Sequence, residues 1–211
     1  MIADRHPLLL TLPHATLQGE LVMPGFSRGI VVFVSACNGV ALAGRAETET
    51  RLLQAGFGTL WVDLLSGNEC HFADASTHLP HLAERLLAVI GHLRHRMDNE
   101  VIAEQPIGLV AAGDMTPLAV RVAALRDKEI HALVCHGGLV DLAGLQYLRV
   151  LQAPLLMIAD VGDETSAANF RRARSHMPGI ATLEQLKTDD VSAEATSRRL
   201  TVGWFERHLH A

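Results

Sequence analysis

Apolar runs alternate with amphipathic stretches along the chain. Near-continuous apolar runs fall at 29–35, 58–63, 107–112, 130–135, 154–160 and 182–186, as in GIVVFV and APLLMIA. A strand buried on both faces reads this way, because neither side meets water. Between these runs, the stretches 43–55, 79–97, 117–125, 142–151, 166–176 and 193–208 carry helical periodicity. Strand–helix alternation predicts an α/β fold, a mostly parallel sheet with helices on both faces. The segment 16–23 reads as an antiparallel edge strand or hairpin. No internal repeat, linker or low-complexity tract interrupts the pattern, so residues 1–211 read as one domain.

The stretch 79–97 is the clearest helix. At ~100° per residue, Leu79, Leu82, Leu86, Val89, Ile90 and Leu93 share one face. His78, His81, Glu84, Arg85, His92, His95 and Arg96 fall on the other, which predicts a solvated face.

Composition narrows the class. Hydrophobic residues make up 49% and charged residues 19%, with mean hydropathy +0.21, so a folded core is expected and disorder is not. The formal net charge is -5, leaving no basic surplus to hold a phosphate backbone. Nucleic acid is therefore not an expected partner. The cysteines are Cys37, Cys70 and Cys135, an odd, sparse set that argues against a disulfide framework and contains no CxxC pair. The apolar run 8–10 lies between Pro7 and Pro13, too short for a signal segment or a membrane span. Together these features predict a cytoplasmic protein without membrane attachment.

The order of the segments RGIVVFVSACNG, LLQAGFGTLWVDLLSGNE, PIGLVAAGDMTPLAVRVAA, IHALVCHGGLVDLAG, LQAPLLMIADVGDE and WFERHL resembles the dienelactone-hydrolase-like branch of the α/β-hydrolase superfamily. The likeness runs over nearly the whole chain. AGFGTLWVDLL, CHGGLVDLAG and APLLMIAD are its most specific pieces. It implies a mostly parallel sheet of roughly eight strands, with the active site at their carboxyl ends.

The resemblance also says where catalytic groups belong. A serine or cysteine is expected on a tight strand-to-helix elbow after 107–110, within AAGDMT. Direct alignment puts Gly113 there, which has no side chain to attack with. A one-residue slip places Asp114 at the elbow, flanked by Ala112 and Thr116. Some α/β-hydrolases use an aspartate in that role. The plainer reading is that Asp114 caps the helix running through Pro117. The catalytic histidine should precede the last helix. The corresponding segment, KTDDVSAEATS, is shortened and contains none. After His176 the remaining histidines are His208 and His210, at the far end of that helix. The acid should follow APLLMIAD, where Asp160 and Asp163 stand. The oxyanion loop of the family often opens with His-Gly. Here Ser35, Ala36, Cys37, Asn38 and Gly39 occupy it, a turn-prone set that together with Gly113 and Met115 would line the pocket.

Other chemistry is weaker. Cys37 at the pocket mouth could serve as a nucleophile, although free cysteine is more often a small buried hydrophobe. Cys135 and His136 should point to opposite faces if their strand continues. The pairs His78/His81 and His92/His95 have i,i+3 spacing. They stand about 21 Å apart along a helix and cannot share an ion, so no physiological metal is expected. No G-x-G-x-x-G follows a strand and no P-loop is present, so no nucleotide cofactor is expected.

With two of three triad roles empty, the sequence predicts a hydrolase fold that has lost ester or lactone hydrolysis. Such a protein would bind a small molecule in the vestigial pocket or a protein partner on its surface. The alternative is a hydrolase of small esters or lactones with a rearranged site built on Asp114 or Cys37. That site would take a histidine from elsewhere, and Asp160 or Asp163 as acid. A homodimer is compatible with either, since family members often pair.

Overall fold

A computed structural model describes residues 3–37, 44–71, 78–187 and 191–210. Among them, eight strands form one sheet in the order β1-β2-β4-β3-β5-β6-β7-β8. The strands are β1 Ala3–Leu12, β2 Ala15–Pro24, β3 Ile30–Ser35, β4 Gly58–Asp63, β5 Ile107–Ala112, β6 Ile130–His136, β7 Leu155–Asp160 and β8 Ala181–Leu186. β2 runs antiparallel to both of its neighbours, and every other pairing is parallel. The expected edge hairpin is present, but the outermost strand is β1, a segment the sequence left as a short apolar run. Pro7 is compatible with it because an edge strand has one side on which a missing N–H costs no ladder bond.

Among the described residues six α-helices flank the sheet: α1 Arg45–Gln54, α2 Leu79–Asp98, α3 Thr116–Leu125, α4 Leu145–Leu148, α5 Glu164–Arg174 and α6 Val191–His208. β3 and β5 are buried along their whole length, as their unbroken apolar runs require. One core layer joins the sheet to α2, α3, α4 and α5 through Leu82, Leu118, Leu148 and Phe170. The other packs α1 and α6 onto the opposite face through Leu52, Trp204 and Phe205. The helix expected over 142–151 is instead a 3-10 turn, Val140–Ala143, followed by the single turn of α4. Gly144, at φ 103, separates them, because a helix cannot pass through that backbone conformation.

The face of α2 that packs inward follows the sequence pattern, with one exception. Arg85, placed by the pattern on the solvated side, is buried. It lies ~40° from Val89 on the helical projection, at the edge of the apolar arc. Its Nη1 donates to the Leu64 carbonyl at 2.6 Å and to Glu69 Oε2 at 2.8 Å, while Nη2 donates to Glu69 Oε1 at 2.6 Å. Glu69 begins a short 3-10 turn, Glu69–His71, and also accepts from the Ser66 N–H and hydroxyl, each at 2.8 Å. The Arg85 guanidinium and these further bonds hold the Glu69 carboxyl down at about 2. This clamp fixes the chain that follows β4.

Candidate functional site

The carboxyl ends of the parallel strands bring the expected site residues to one edge of the sheet. β5 ends with Ala112 in extended conformation, and Gly113 then turns at φ 53 into a 3-10 turn, Gly113–Met115, and α3. This is the elbow, and Gly113 occupies its sharp position. Among the described residues, a Cβ built there would meet nothing within 4 Å, which leaves room for a side chain that the residue lacks.

The turn after β6 braces the elbow. Thr116 Oγ1 donates to the Gly137 carbonyl at 2.7 Å. A Cβ on Gly138 would fall 2.1 Å from the Gly113 carbonyl oxygen, so only glycine fits against the elbow. The Gly138 N–H donates to Ser166 Oγ at 3.0 Å. Ser166 bonds in turn to Asp163, whose Oδ1 accepts from the Ser166 N–H at 3.0 Å.

Several expected roles change in this frame. Asp114 is exposed, and α3 is preceded by Met115, with no side-chain hydrogen bond at its cap. The intervening 3-10 turn moves the helix start past Asp114, so the expected cap is not made. Met115, expected in the pocket, is buried in the core. Asp163 is the N-cap of α5, and hydrogen bonds from Ser166 hold its carboxyl below the usual aspartate range. Asp160 Oδ1 accepts from the Gly162 N–H at 2.5 Å, closing the turn after β7. Both acids therefore serve local backbone geometry.

Ser35 is buried, and its carbonyl accepts from the Leu64 N–H at 2.9 Å. Ala36 is half-buried and accepts from Leu65 N–H at 2.9 Å. Asn38 and Gly39 lie outside the described residues, as do residues 188–190 of the segment where a histidine was sought. Cys37 corrects two expectations together. It is joined to Cys70 in a disulfide, so a sparse, odd cysteine set does form one bond, and Cys37 holds no free thiol in this state. Proximity in the fold, which spacing cannot reveal, pairs them. The loop after β3 and the clamped turn after β4 meet at the same edge of the sheet. Cys135 is the free cysteine among the described residues, and burial pushes its thiol up to about 12.

His136, assigned no catalytic role beside Cys135 from the sequence, is the last residue of β6. β6 continues through it, so Cys135 faces the layer under α3 and His136 faces α6. Its Nδ1 lies 3.4 Å from Ser197 Oγ and its Nε2 lies 3.5 Å from Thr201 Oγ1. Burial pushes the imidazole down to about 4, so it is neutral at pH 7. The signal was present in outline: a histidine ending a core strand, and two hydroxyl residues one helical turn apart on α6. No described contact brings His136 to Asp114 or Cys37. His208 is packed against Trp204, with ring centroids 4.2 Å apart, at the far end of α6.

Among the described residues, no group of three or more His, Cys, Asp or Glu is arranged to hold a metal ion. The His78 and His81 rings are 6.2 Å apart, edge to face. No helix among these residues is long and apolar enough to cross a membrane.

No family model matches the sequence. A protein of Mycobacterium tuberculosis, known in two strains under the name "Putative phosphoribosyl transferase", is 32% identical over 199 residues. That match takes in 90% of this chain and 44% of the relative, so the chain spans under half the length of the curated relatives it matches. Among solved structures, dienelactone hydrolase from Anabaena variabilis superposes with a TM-score of 0.84 and 26% identity, over 99% of both chains. A cold-adapted esterase from an Arctic intertidal metagenomic library gives a TM-score of 0.76 at 14% identity, over 98% of this chain and 94% of that one. The chain has the fold of these α/β-hydrolases, and its likeness to dienelactone hydrolase runs end to end.

Proposed function

We propose that this chain, an α/β-hydrolase fold of dienelactone-hydrolase-like form, has lost ester and lactone hydrolysis. It keeps the pocket edge to bind a small molecule, or its surface to bind a protein partner. The observation that carries this reading is Gly113. The elbow retains its left-handed turn, its bracing glycine and its open space, yet the residue at its apex carries no hydroxyl, thiol or carboxylate. Acyl transfer through the usual covalent intermediate needs such a group and a base beside it. Asp160 and Asp163 are engaged in turn and cap hydrogen bonds, and Cys37 is in a disulfide. A cytoplasmic location and a homodimer are part of the same proposal.

A second reading rests on Asp114, which is exposed beside the elbow and makes no cap bond. Hydrolysis of p-nitrophenyl acetate by the wild-type chain and by Asp114→Ala separates the two. The proposal predicts no saturable turnover from either. Saturable turnover that Asp114→Ala abolishes would overturn it and install an aspartate nucleophile.

A further inference from the structure

The Cys37–Cys70 bond is not needed to pair the strands it follows. β3 and β4 are already in register to their last residues, Ser35 opposite Asp63. Beyond that point the Leu64 and Leu65 N–H groups donate to the Ser35 and Ala36 carbonyls, each at 2.9 Å. The turn carrying Cys70 is separately held by the Arg85–Glu69 pair. Both cysteines are half-buried at the margin of the core, whereas Cys135 is sealed inside it. The bond thus crosses two loop ends that other contacts already hold. Cys37 stands two residues past the end of β3, the strand next to β5 and its elbow.

We propose that Cys37 and Cys70 form a reversible redox pair, a modification site whose reactant is a glutathione-class thiol. A thiolate of the reductant attacks one sulfur of the bond, forming a mixed disulfide and releasing the other cysteine as a thiolate. A second reductant thiolate then attacks the reductant's sulfur in the mixed disulfide and releases the remaining cysteine. Two electrons pass from two reductant thiols to the protein, two protons end on Cys37 and Cys70, and the reductant leaves as its own disulfide. The reduced chain holds a free thiol two residues past the carboxyl end of β3, and the oxidised chain holds none there. This inference does not depend on the loss of hydrolysis, since its readout is the state of the thiols.

The test equilibrates the full chain in glutathione buffers from fully oxidised to fully reduced, then alkylates it natively with N-ethylmaleimide. Intact mass and peptide mapping count the additions. The expected result is no addition when oxidised and two when reduced, on Cys37 and Cys70. Cys135 should be reached only in denaturant, and re-oxidation should reverse the change. Hydrogen exchange should quicken at 35–37 in the reduced chain while β3, β4 and β5 stay protected. Single variants Cys37→Ser and Cys70→Ser should each leave one natively alkylated thiol in a folded chain. A bond that never forms in oxidised glutathione would overturn the proposal. So would a bond that resists reduced glutathione in the folded chain, or global unfolding on reduction.

Discussion

Arg85 places a charge in the core, while its partner Glu69 is 28% exposed and reaches water at one side. Removing one partner leaves the other uncompensated, which costs several kcal/mol when the charge is buried. Glu69→Gln should therefore lower stability by about 3 kcal/mol in urea denaturation. The double change Glu69→Gln with Arg85→Met should recover most of that loss. The carboxyl titrates at about 2 in the folded chain, below its ordinary 4.5. A depressed carboxylate contributes stability above its unfolded value and loses it as pH falls towards the folded one. The Glu69→Gln variant should thus lose the part of the acid slope between pH 4.5 and about 2. His136 acts in a higher window. Its imidazole is pushed down to about 4 from 6.5, so the unfolded chain takes up a proton first. Stability should fall as pH drops from 6.5 towards 4, and His136→Gln should flatten that fall. His92 and His208 are also lowered by burial, so the variant, and not the wild-type slope alone, isolates the contribution of His136. The role of Arg85 was not legible in sequence, and that of His136 only in outline. Arg85 lay at the rim of an apolar arc, and the facing of His136 depended on whether β6 stopped at the Gly-Gly pair.

At the level of elements, the elbow is the feature that the family resemblance located best. The resemblance implied a tight turn within AAGDMT, between an apolar strand and a helix with proline in its first turn, and the backbone makes it at Gly113. What the sequence missed was the 3-10 turn between strand and helix, which takes Asp114 out of capping range. The turn at 137–138 carries a sharper prediction. Gly138→Ala would drive a Cβ into the Gly113 carbonyl from a backbone at φ 89. Gly113→Ala meets open space and bears only the left-handed backbone cost. Thermal denaturation should rank them, with Gly113→Ala losing about 1 kcal/mol and Gly138→Ala losing about 3 kcal/mol. Equal losses would mean that the two turns do not bear on each other. The broken helix over 140–148 was hidden for a related reason. Its apolar spacing was helical, and the conformation of Gly144 overrode it.

For the whole molecule, apolar runs alternating with amphipathic stretches were enough to predict the parallel sheet and its two helical layers, because burial on both faces leaves a plain mark. The site was less legible, since it depends on which chain ends meet at one edge of the sheet. Cys37 and Cys70 are 33 residues apart in sequence, and nothing in their spacing announces the contact. The proposed loss of the nucleophile rests on one position, Gly113, which the family resemblance put at the elbow and which the backbone places at the turn after β5. The most direct test of that central claim compares hydrolysis of an activated ester by the native chain and by the same chain unfolded in urea. Each rate is set against its own buffer, at equal protein concentration. The account predicts that the folded chain adds no saturable rate beyond what the exposed side chains of the unfolded one supply. A folded-state rate that saturates with substrate and vanishes on unfolding would contradict it.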